Sequence, residues 1–177
     1  AMIAGFIFLR LRGILGKKTG FEDNINTSFP HEAPLKTNEK KIDAQNFDDS
    51  AKKEFLKGAK IAYETIVTNF STGNLKNIKT LLDKKVFEEF DVAIKERKNK
   101  GLQSETTFIG INSADIKEHN QNSNMLEVTV DFVSEIISCV KDKDKKILSG
   151  DPQKIKKVHD TWKFSRNISS TSPNWLL

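Results

Sequence analysis

Apolar residues recur at helical spacing along the first part of the folded region, and this spacing predicts a long amphipathic helix. Asp48 and Asp49 lie at its start, where carboxylates complement a helix dipole, and Gly73 follows its end as a helix stop. The same spacing predicts a short helix over 75–82 and a third helix over 84–99. The long stripe consists of Phe47, Ala51, Phe55, Ala59, Ala62, Ile66 and Phe70.

The period changes to two after Gly101, which predicts β-strands. Residues 106–118 form a first predicted strand, with a bulge near Gly110 because the alternation shifts there. Residues 124–140 form a second predicted strand, with one apolar face and one polar face. The apolar face carries Leu126, Val128, Val130 and Phe132, and the polar face carries Glu127, Thr129 and Asp131.

The lysine- and aspartate-rich run 141–146 predicts a hairpin tip, after which Ile147 and Leu148 open a return strand. Gly150-Asp151-Pro152 predicts a turn before a last strand over 154–168. Helices followed by a meander of antiparallel strands indicate the α+β class. We therefore expect the N-terminal helices to pack on a curved antiparallel sheet and to form a cone. The concave interior of such a cone is suited to a ligand pocket.

Residues 1–18 predict the end of an N-terminal membrane anchor with a basic flank. Residues 1–9 carry no charge, and segment 1–20 has a net charge of +4. The basic residues follow the apolar run, whereas a cleavable secretory signal places them before it, so we expect the flank to stay on the cytoplasmic side. The residues predicted to contact the membrane and its anionic lipids are Phe6, Phe8, Arg10, Arg12, Lys17 and Lys18.

Two other interpretations of residues 1–9 stay open. The run is too short to span a membrane by itself, so it is also consistent with a helix packed on the domain or with an interfacial helix. Residues 19–46 contain Pro30, Pro34 and many Asn, Thr and Ser residues, without a helical or strand period. They predict a flexible linker, and residues 47–177 then form the α+β domain.

The net charge of +5 is built mostly from lysine, since 25 of the 29 basic residues are Lys and 4 are Arg. The region 47–177 has 22 basic and 19 acidic residues, a net charge of +3. Few arginines and one tyrosine argue against nucleic-acid base readout, although ribosome or RNA contact stays an alternative. The single Cys139 excludes a disulfide framework, and three scattered histidines lack metal-ligand spacing, so we expect no metal and no cofactor.

Two charged residues, Asp160 and Arg166, interrupt the apolar face of the last predicted strand. A lone buried charge is costly, so each is expected to have a partner. Glu135 or Asp131 on the neighbouring strand is the candidate partner for Arg166. The sequence predicts either a structural ion pair in the sheet or a polar group that lines the cone.

No catalytic motif is present, because the sequence has no phosphate-binding glycine loop, no Gly-x-Ser-x-Gly string and no paired catalytic carboxylates. Asp131, Tyr63 and Asp160 are the residues that a proton-transfer enzyme of cone fold would use here. Fold analogy alone does not select them. We therefore expect a protein that is not an enzyme.

Several short strings occur in one order and spacing: Phe8-Leu9-Arg10-Leu11-Arg12, Leu15-Gly16-Lys17-Lys18-Thr19-Gly20, Phe55-Leu56-Lys57-Gly58-Ala59, Phe70-Ser71-Thr72-Gly73-Asn74-Leu75, Ser134-Glu135, Gly150-Asp151-Pro152, Asp160-Thr161-Trp162-Lys163-Phe164-Ser165-Arg166 and Pro173-Asn174-Trp175. In this order the chain resembles the bacterial members of the family of the forty-four-kilodalton subunit of the translocase of the inner mitochondrial membrane. The resemblance covers the predicted anchor end and essentially all of residues 47–177.

This resemblance implies a domain related to the nuclear-transport-factor-two-like fold, an N-terminal inner-membrane anchor, contact with anionic lipid, and scaffolding rather than catalysis. The mitochondrial member tethers a heat-shock chaperone to the import channel through a long charged N-terminal region. The present sequence does not contain that region, so chaperone binding is not implied.

The predicted anchor and the family resemblance together predict a non-catalytic, membrane-tethered scaffold or adaptor that binds lipid and partner proteins. The expected process is protein transport or membrane-protein assembly. Its expected location is the bacterial inner membrane, with the domain on the cytoplasmic side. The alternatives are a ribosome- or RNA-associated membrane tether and a cone-fold small-molecule enzyme. The sequence leaves the partner protein, the lipid and the oligomeric state open.

Overall fold

A computed structural model describes residues 47–172 and 174–177. The predicted anchor, residues 1–18, and the predicted linker, residues 19–46, lie outside the described residues. Among the residues that are described, no helix combines the length and the apolar character needed to cross a membrane.

The first helix, α1, spans Asp49–Thr72 and confirms the long helix predicted from the apolar stripe. Its start is capped by Asp48, whose carboxylate accepts a hydrogen bond from the backbone N–H of Ala51 at 2.8 Å. Its end is capped by Gly73, which has a φ of 76° and donates its N–H to the carbonyl oxygen of Phe70. These caps explain why the helix begins and ends where the sequence predicts.

The second α-helix, α2, spans Lys84–Asn99, as predicted. Asp83 caps its start by accepting a hydrogen bond from the backbone N–H of Val86 at 2.7 Å. Between the two α-helices the chain forms two short 3₁₀ helices, Leu75–Asn77 and Lys79–Leu81, where the sequence predicted one short helix. Apolar side chains of this connection are buried in the core.

Three long antiparallel strands form one open sheet in the order β1-β2-β3. Strand β1 spans Gln103–Asn122, β2 spans Met125–Lys141 and β3 spans Ile147–Asn167. The pairing of β1 with β2 shifts between Phe108 and Gly110, which confirms the predicted bulge. Because β2 lies between the other two, β1 and β3 are the edges of the sheet that the described residues form.

The predicted turn at Gly150-Asp151-Pro152 is wrong, because these residues lie within β3. Gly150 and Asp151 pair with Cys139 and Ser138 of β2, and the pairing shifts beyond them while the strand keeps its direction. Gly150 has a φ of +79°, and a Cβ at this position would lie 2.2 Å from the carbonyl oxygen of Ser138. The glycine therefore permits a close approach to β2 and not a chain reversal.

The helices pack against one face of the sheet, and the core lies between the two layers. Predicted inward residues of both layers are buried, for example Phe55 and Ile66 on α1, and Val128 and Phe132 on β2. The backbone of helix α1 comes closest to β1, and its side chains also contact β2 and β3. The architecture is therefore α+β, with helices against an antiparallel sheet.

The last described residues return to β3. Ser165 and Leu176 exchange backbone hydrogen bonds of 2.9 and 2.8 Å, so the C-terminal segment pairs with the outer edge of β3 at one position. Leu177 then donates its N–H to the carbonyl oxygen of Leu81 and accepts a hydrogen bond from the N–H of Asp83, both at 3.0 Å. The segment therefore ties the outer edge of β3 to the start of α2.

Candidate functional site

The predicted site residues divide into two groups. The structure describes Asp160, Arg166 and Glu135, and they lie at three different levels along the sheet. The residues predicted to contact the membrane lie outside the described residues, namely Phe6, Phe8, Arg10, Arg12, Lys17 and Lys18.

Asp160 belongs to a buried polar cluster between α1 and the sheet. The phenol of Tyr63 donates a hydrogen bond to the Oδ2 atom of Asp160 at 2.6 Å, and its oxygen lies 2.9 Å from the Oγ atom of Ser134. Since the single phenol proton goes to the carboxylate, the hydroxyl of Ser134 donates to the phenol oxygen. All three residues are buried. The cluster therefore connects α1, β2 and β3 through their side chains.

Burial raises the pKa of the Tyr63 phenol well above its ordinary value, and the negative charge of Asp160 raises this pKa further. The phenol therefore keeps its proton and acts as a hydrogen-bond donor, not as a base. A satisfied buried network of this kind fixes the position of packed elements. Its geometry suits a structural role, in which α1 is held at one position over β2 and β3.

Aromatic rings surround the polar cluster. Tyr63 stacks on Phe132 with ring centroids 4.4 Å apart, and the ring of Trp162 lies 4.6 Å from that of Tyr63. Trp162 is fully buried, and its indole Nε1 has no hydrogen-bond partner within the described residues. At this level, packed aromatic side chains occupy the space between α1 and the sheet.

The structure does not bring Arg166 and Glu135 together. Arg166 lies opposite Leu126 on β2, nine residues from Glu135, which corresponds to about 30 Å along the strand. Glu135 accepts a hydrogen bond from the side-chain amide of Asn112 at 3.0 Å. The Nε atom of Arg166 is buried without a hydrogen-bond partner among the described residues, and burial lowers the pKa of this guanidinium.

Asp131 lies on the opposite face of the sheet from Asp160. It pairs with Thr161, whose hydroxyl donates to its carboxylate, and it lies 3.9 Å from the Nζ atom of Lys117. Tyr63 and Asp160 meet in the core, and Asp131 does not join them. The three residues considered for proton transfer therefore do not form one site.

Ser134 is the member of the buried cluster that sequence reasoning missed. It continues the inward face of β2 beyond Phe132 and is 0% exposed. A hydroxyl at such an apolar position requires a hydrogen-bond partner, so this residue is itself a signal of a polar contact across the core. No group of His, Cys, Asp and Glu within residues 47–172 and 174–177 is arranged to hold a metal ion.

The junction between the predicted linker and the domain is a buried aromatic group. Phe47, just before α1, is buried, and its ring centroid lies 5.3 Å from that of His119 and 6.3 Å from that of Trp175. Phe55 of α1 completes the group, with its ring 4.7 Å from that of Trp175. The start of α1, the far part of β1 and the C-terminal segment therefore meet at one end of the domain.

The hairpin between β2 and β3 and the first part of β3 are rich in lysine. Residues 141–157 contain seven lysines and three aspartates. Lys141 forms an ion pair of 2.6 Å with Glu105. Ile147 and Ile155 are exposed, at 44% and 53%. The surface therefore combines positive charge with exposed apolar side chains.

Comparison with known proteins identifies the family. Among solved structures, a crystal structure of the intermembrane space region of the chloroplast protein ARC6 matches 72% of this chain and 90% of that one, with a TM-score of 0.40 and 13% identity. No curated protein sequence matches the chain. A family model described as the Tim44-like domain matches residues 40–177, which include every helix and strand described above, and it confirms the resemblance inferred from the sequence. The chain belongs to the family of Tim44-like domains.

Proposed function

We propose that this protein is a membrane-tethered, non-catalytic adaptor in protein transport or membrane-protein assembly, located at the cytoplasmic face of the bacterial inner membrane. Membership of the Tim44-like family supports a membrane-associated role in protein transport. The family generally consists of scaffolds and not of enzymes.

The observation that carries the proposal is the order of the first residues. The uncharged run 1–9 is followed by four basic residues before the first acidic residue, Glu22. Each basic side chain near an anionic leaflet contributes about 1 kcal/mol, so the flank adds about 4 kcal/mol to the apolar contribution. This order of apolar and basic residues favours attachment to an anionic membrane surface.

The linker determines how far from the bilayer the domain acts. A flexible segment of the length of residues 19–46 has a root-mean-square span of about 30 Å. Phe47 is held by its aromatic neighbours, so this reach is measured from one end of the domain. An adaptor attached in this way samples partners close to the membrane surface.

Vesicle flotation tests the anchor. We expect the full chain to float with vesicles that contain phosphatidylglycerol, and a variant without residues 1–20 to remain at the bottom of the gradient. Both forms are compared at low and at high salt, because the domain itself has a net positive charge that attracts it to anionic vesicles. High salt screens this attraction, so the difference between the two forms then reports residues 1–20. Equal flotation of the two forms at both salt concentrations would contradict the proposal.

Charge neutralisation beside the apolar run tests the contact with anionic lipid. The pair Lys17→Gln and Lys18→Gln is expected to weaken partitioning onto anionic vesicles about thirtyfold, since each charge contributes about 1 kcal/mol. The matched pair Lys40→Gln and Lys41→Gln, in the linker, is expected to change it less than about twofold, because those charges lie beyond the screening length. Equal effects of the two pairs would argue against a specific basic flank.

A ribosome- or RNA-associated tether is the second candidate function, and the lysine-rich run 141–157 favours it. The small number of arginines and the single tyrosine weigh against it, since base readout and stacking use these residues. Cosedimentation of the full chain with ribosomes at moderate salt would support this function over the adaptor role.

A further inference from the structure

Strand β3 is an edge of the sheet formed by residues 47–172, so one side of its backbone faces away from β2. The side chains of α1 contact β3 from the core face of the sheet, as between Tyr63 and Asp160, and leave its outer backbone edge uncovered by α1. The N–H and carbonyl groups of Ser165 point outward, because they pair with Leu176 and not with β2. The N–H and C=O groups of successive residues in a strand point to opposite sides, so every second residue before Ser165 also points these groups outward. These residues are Lys157, His159, Thr161 and Lys163.

The outward groups from Lys157 to Lys163 form no backbone hydrogen bond with any described part of the chain. The C-terminal segment already pairs with the same edge at Ser165. This contact shows that the outer side of β3 accepts antiparallel backbone pairing at one position. A further strand placed from Lys157 to Lys163 would continue the interaction that the chain itself makes, in the manner of strand addition to a sheet edge.

Charge at the beginning of this edge selects the kind of partner. Residues 141–157 have a net charge of +4. Lys154 and Lys157 are exposed, and the exposed Ile155 lies between them. A complementary segment therefore carries carboxylates near the two lysines and an apolar side chain near Ile155.

A second copy of the chain fits this edge poorly. Antiparallel pairing of two β3 edges would place Lys157 of each copy opposite Lys163 of the other, and like charges directly opposite on neighbouring strands are destabilising. Pro152 lies in the irregular part of β3 and has no N–H to donate, so a second copy could not continue its pairing with this edge as far as Pro152. Lysines and a proline protect an edge against self-association, and the lysines at the same time favour an acidic strand.

We propose that the outer edge of β3, from Lys157 to Lys163, binds an extended acidic segment of a partner protein as an additional strand. The segment pairs with the four outward residues, and its carboxylates lie beside Lys154 and Lys157. This inference adds a docking surface to the adaptor role proposed above. It rests on the edge of the sheet and is independent of the membrane anchor.

Binding of a labelled peptide to the full chain, in mild detergent, tests the charge requirement. The probe is a fluorescein-labelled peptide of alternating Glu and Val, and a peptide of alternating Lys and Val is the control. The pair Lys154→Glu and Lys157→Glu is expected to weaken binding of the acidic peptide at least about tenfold. The matched pair Lys53→Glu and Lys57→Glu, exposed on α1, makes the same change in net charge and is expected to alter binding less than about twofold.

Hydrogen exchange tests the addition of a strand. The acidic peptide is expected to slow exchange of the amides of His159, Thr161 and Lys163, and to leave the amides of the α1 surface unchanged. His159→Pro removes one outward N–H, and proline is tolerated on sheet edges, so this variant is expected to bind the peptide at least about fivefold more weakly. Its circular dichroism spectrum is expected to match that of the unmodified chain.

Four results would overturn the proposal: no binding of the acidic peptide, equal weakening by the two lysine pairs, binding without slowed exchange on β3, or tighter binding of a single-stranded RNA oligonucleotide at the same lysines. The last result would assign the surface to RNA. Flotation and peptide binding are separate measurements. If the chain floats but does not bind the peptide, the docking surface is contradicted and the anchor is supported. If the chain binds the peptide but does not float, the anchor is contradicted and the docking surface is supported.

Discussion

Replacing Trp162 with alanine is expected to lower the free energy of unfolding by about 3–5 kcal/mol, the usual cost of removing a large buried aromatic side chain. Trp162 is fully buried, and its ring centroid lies 4.6 Å from that of Tyr63, 5.8 Å from that of Phe132 and 6.2 Å from that of Phe164. The substitution therefore removes contacts with α1, β2 and β3 together. Because domains of this size are stable by only about 5–15 kcal/mol, the variant loses a large share of its stability.

Urea denaturation of the full chain, followed by circular dichroism, measures this loss. Ile61→Ala is the control, since Ile61 is 67% exposed on α1 and its truncation is expected to cost less than about 0.5 kcal/mol. Trp162→Phe is expected to cost about 1–2 kcal/mol, because it keeps a ring and removes an indole N–H that has no partner among the described residues. A cost below about 1 kcal/mol for Trp162→Ala would show that the core is not centred on this residue.

Tyr63→Phe is expected to cost about 1.5–3 kcal/mol near neutral pH, since it removes a buried hydrogen bond to a carboxylate. The phenol of Tyr63 donates to Asp160 at 2.6 Å and lies 2.9 Å from Ser134. Phenylalanine keeps the ring stacked on Phe132, so the loss reports the hydroxyl and not the packing. The same denaturation measurement applies, and an unchanged stability would contradict the role assigned to the cluster.

The alkaline pH dependence of stability gives an independent test of this cluster. Burial raises the folded-state pKa of Tyr63, so its contribution to stability is present below the unfolded-state pKa of about 10 and is lost as the pH rises above it. The difference in stability between the unmodified chain and Tyr63→Phe is expected to shrink by up to about 1.4 kcal/mol per pH unit there. Tyr63 is the chain's single tyrosine, so the absorbance of tyrosinate is expected to rise only as the protein unfolds.

Thr161→Val is the matched control for the alkaline experiment. The hydroxyl of Thr161 also donates to a carboxylate, that of Asp131, but on the opposite face of the sheet. This variant is expected to follow the pH dependence of the unmodified chain above about pH 10, because it leaves Tyr63 in place. A tyrosinate signal that appears in the folded protein near the ordinary pKa would contradict the burial of the phenol.

The helices and the inward faces of the strands could be predicted because one-sided burial leaves a periodic pattern in the sequence. The stripe through Phe55 and Ile66 and the alternation through Val128 and Phe132 each report a face turned toward the core. The two ends of α1 could be predicted equally well, because Asp48 and Gly73 cap the helix through hydrogen bonds to residues only a few positions away. Local chemistry determines these features, so the local sequence is sufficient to predict them.

Contacts between distant residues could not be predicted from the same patterns. Tyr63 and Asp160 are separated by 97 positions, and neither residue's neighbours indicate the other. The neighbours of Arg166 depend on the register of β3 against β2, which the bulge beyond Asp151 displaces. Gly150-Asp151-Pro152 is typical of both a turn and a bulge, and only the close approach to Ser138 decides between them.

The aromatic junction at Phe47 and the lysine-rich hairpin lie at opposite ends of the long strands. Strand β2 has 17 residues, which corresponds to about 55 Å. Mechanical force between the linker and a partner held near the hairpin would therefore act parallel to the strands. Such a force would enter through α1, so it would load the side-chain contacts between α1 and the sheet in shear, including the hydrogen bond between Tyr63 and Asp160.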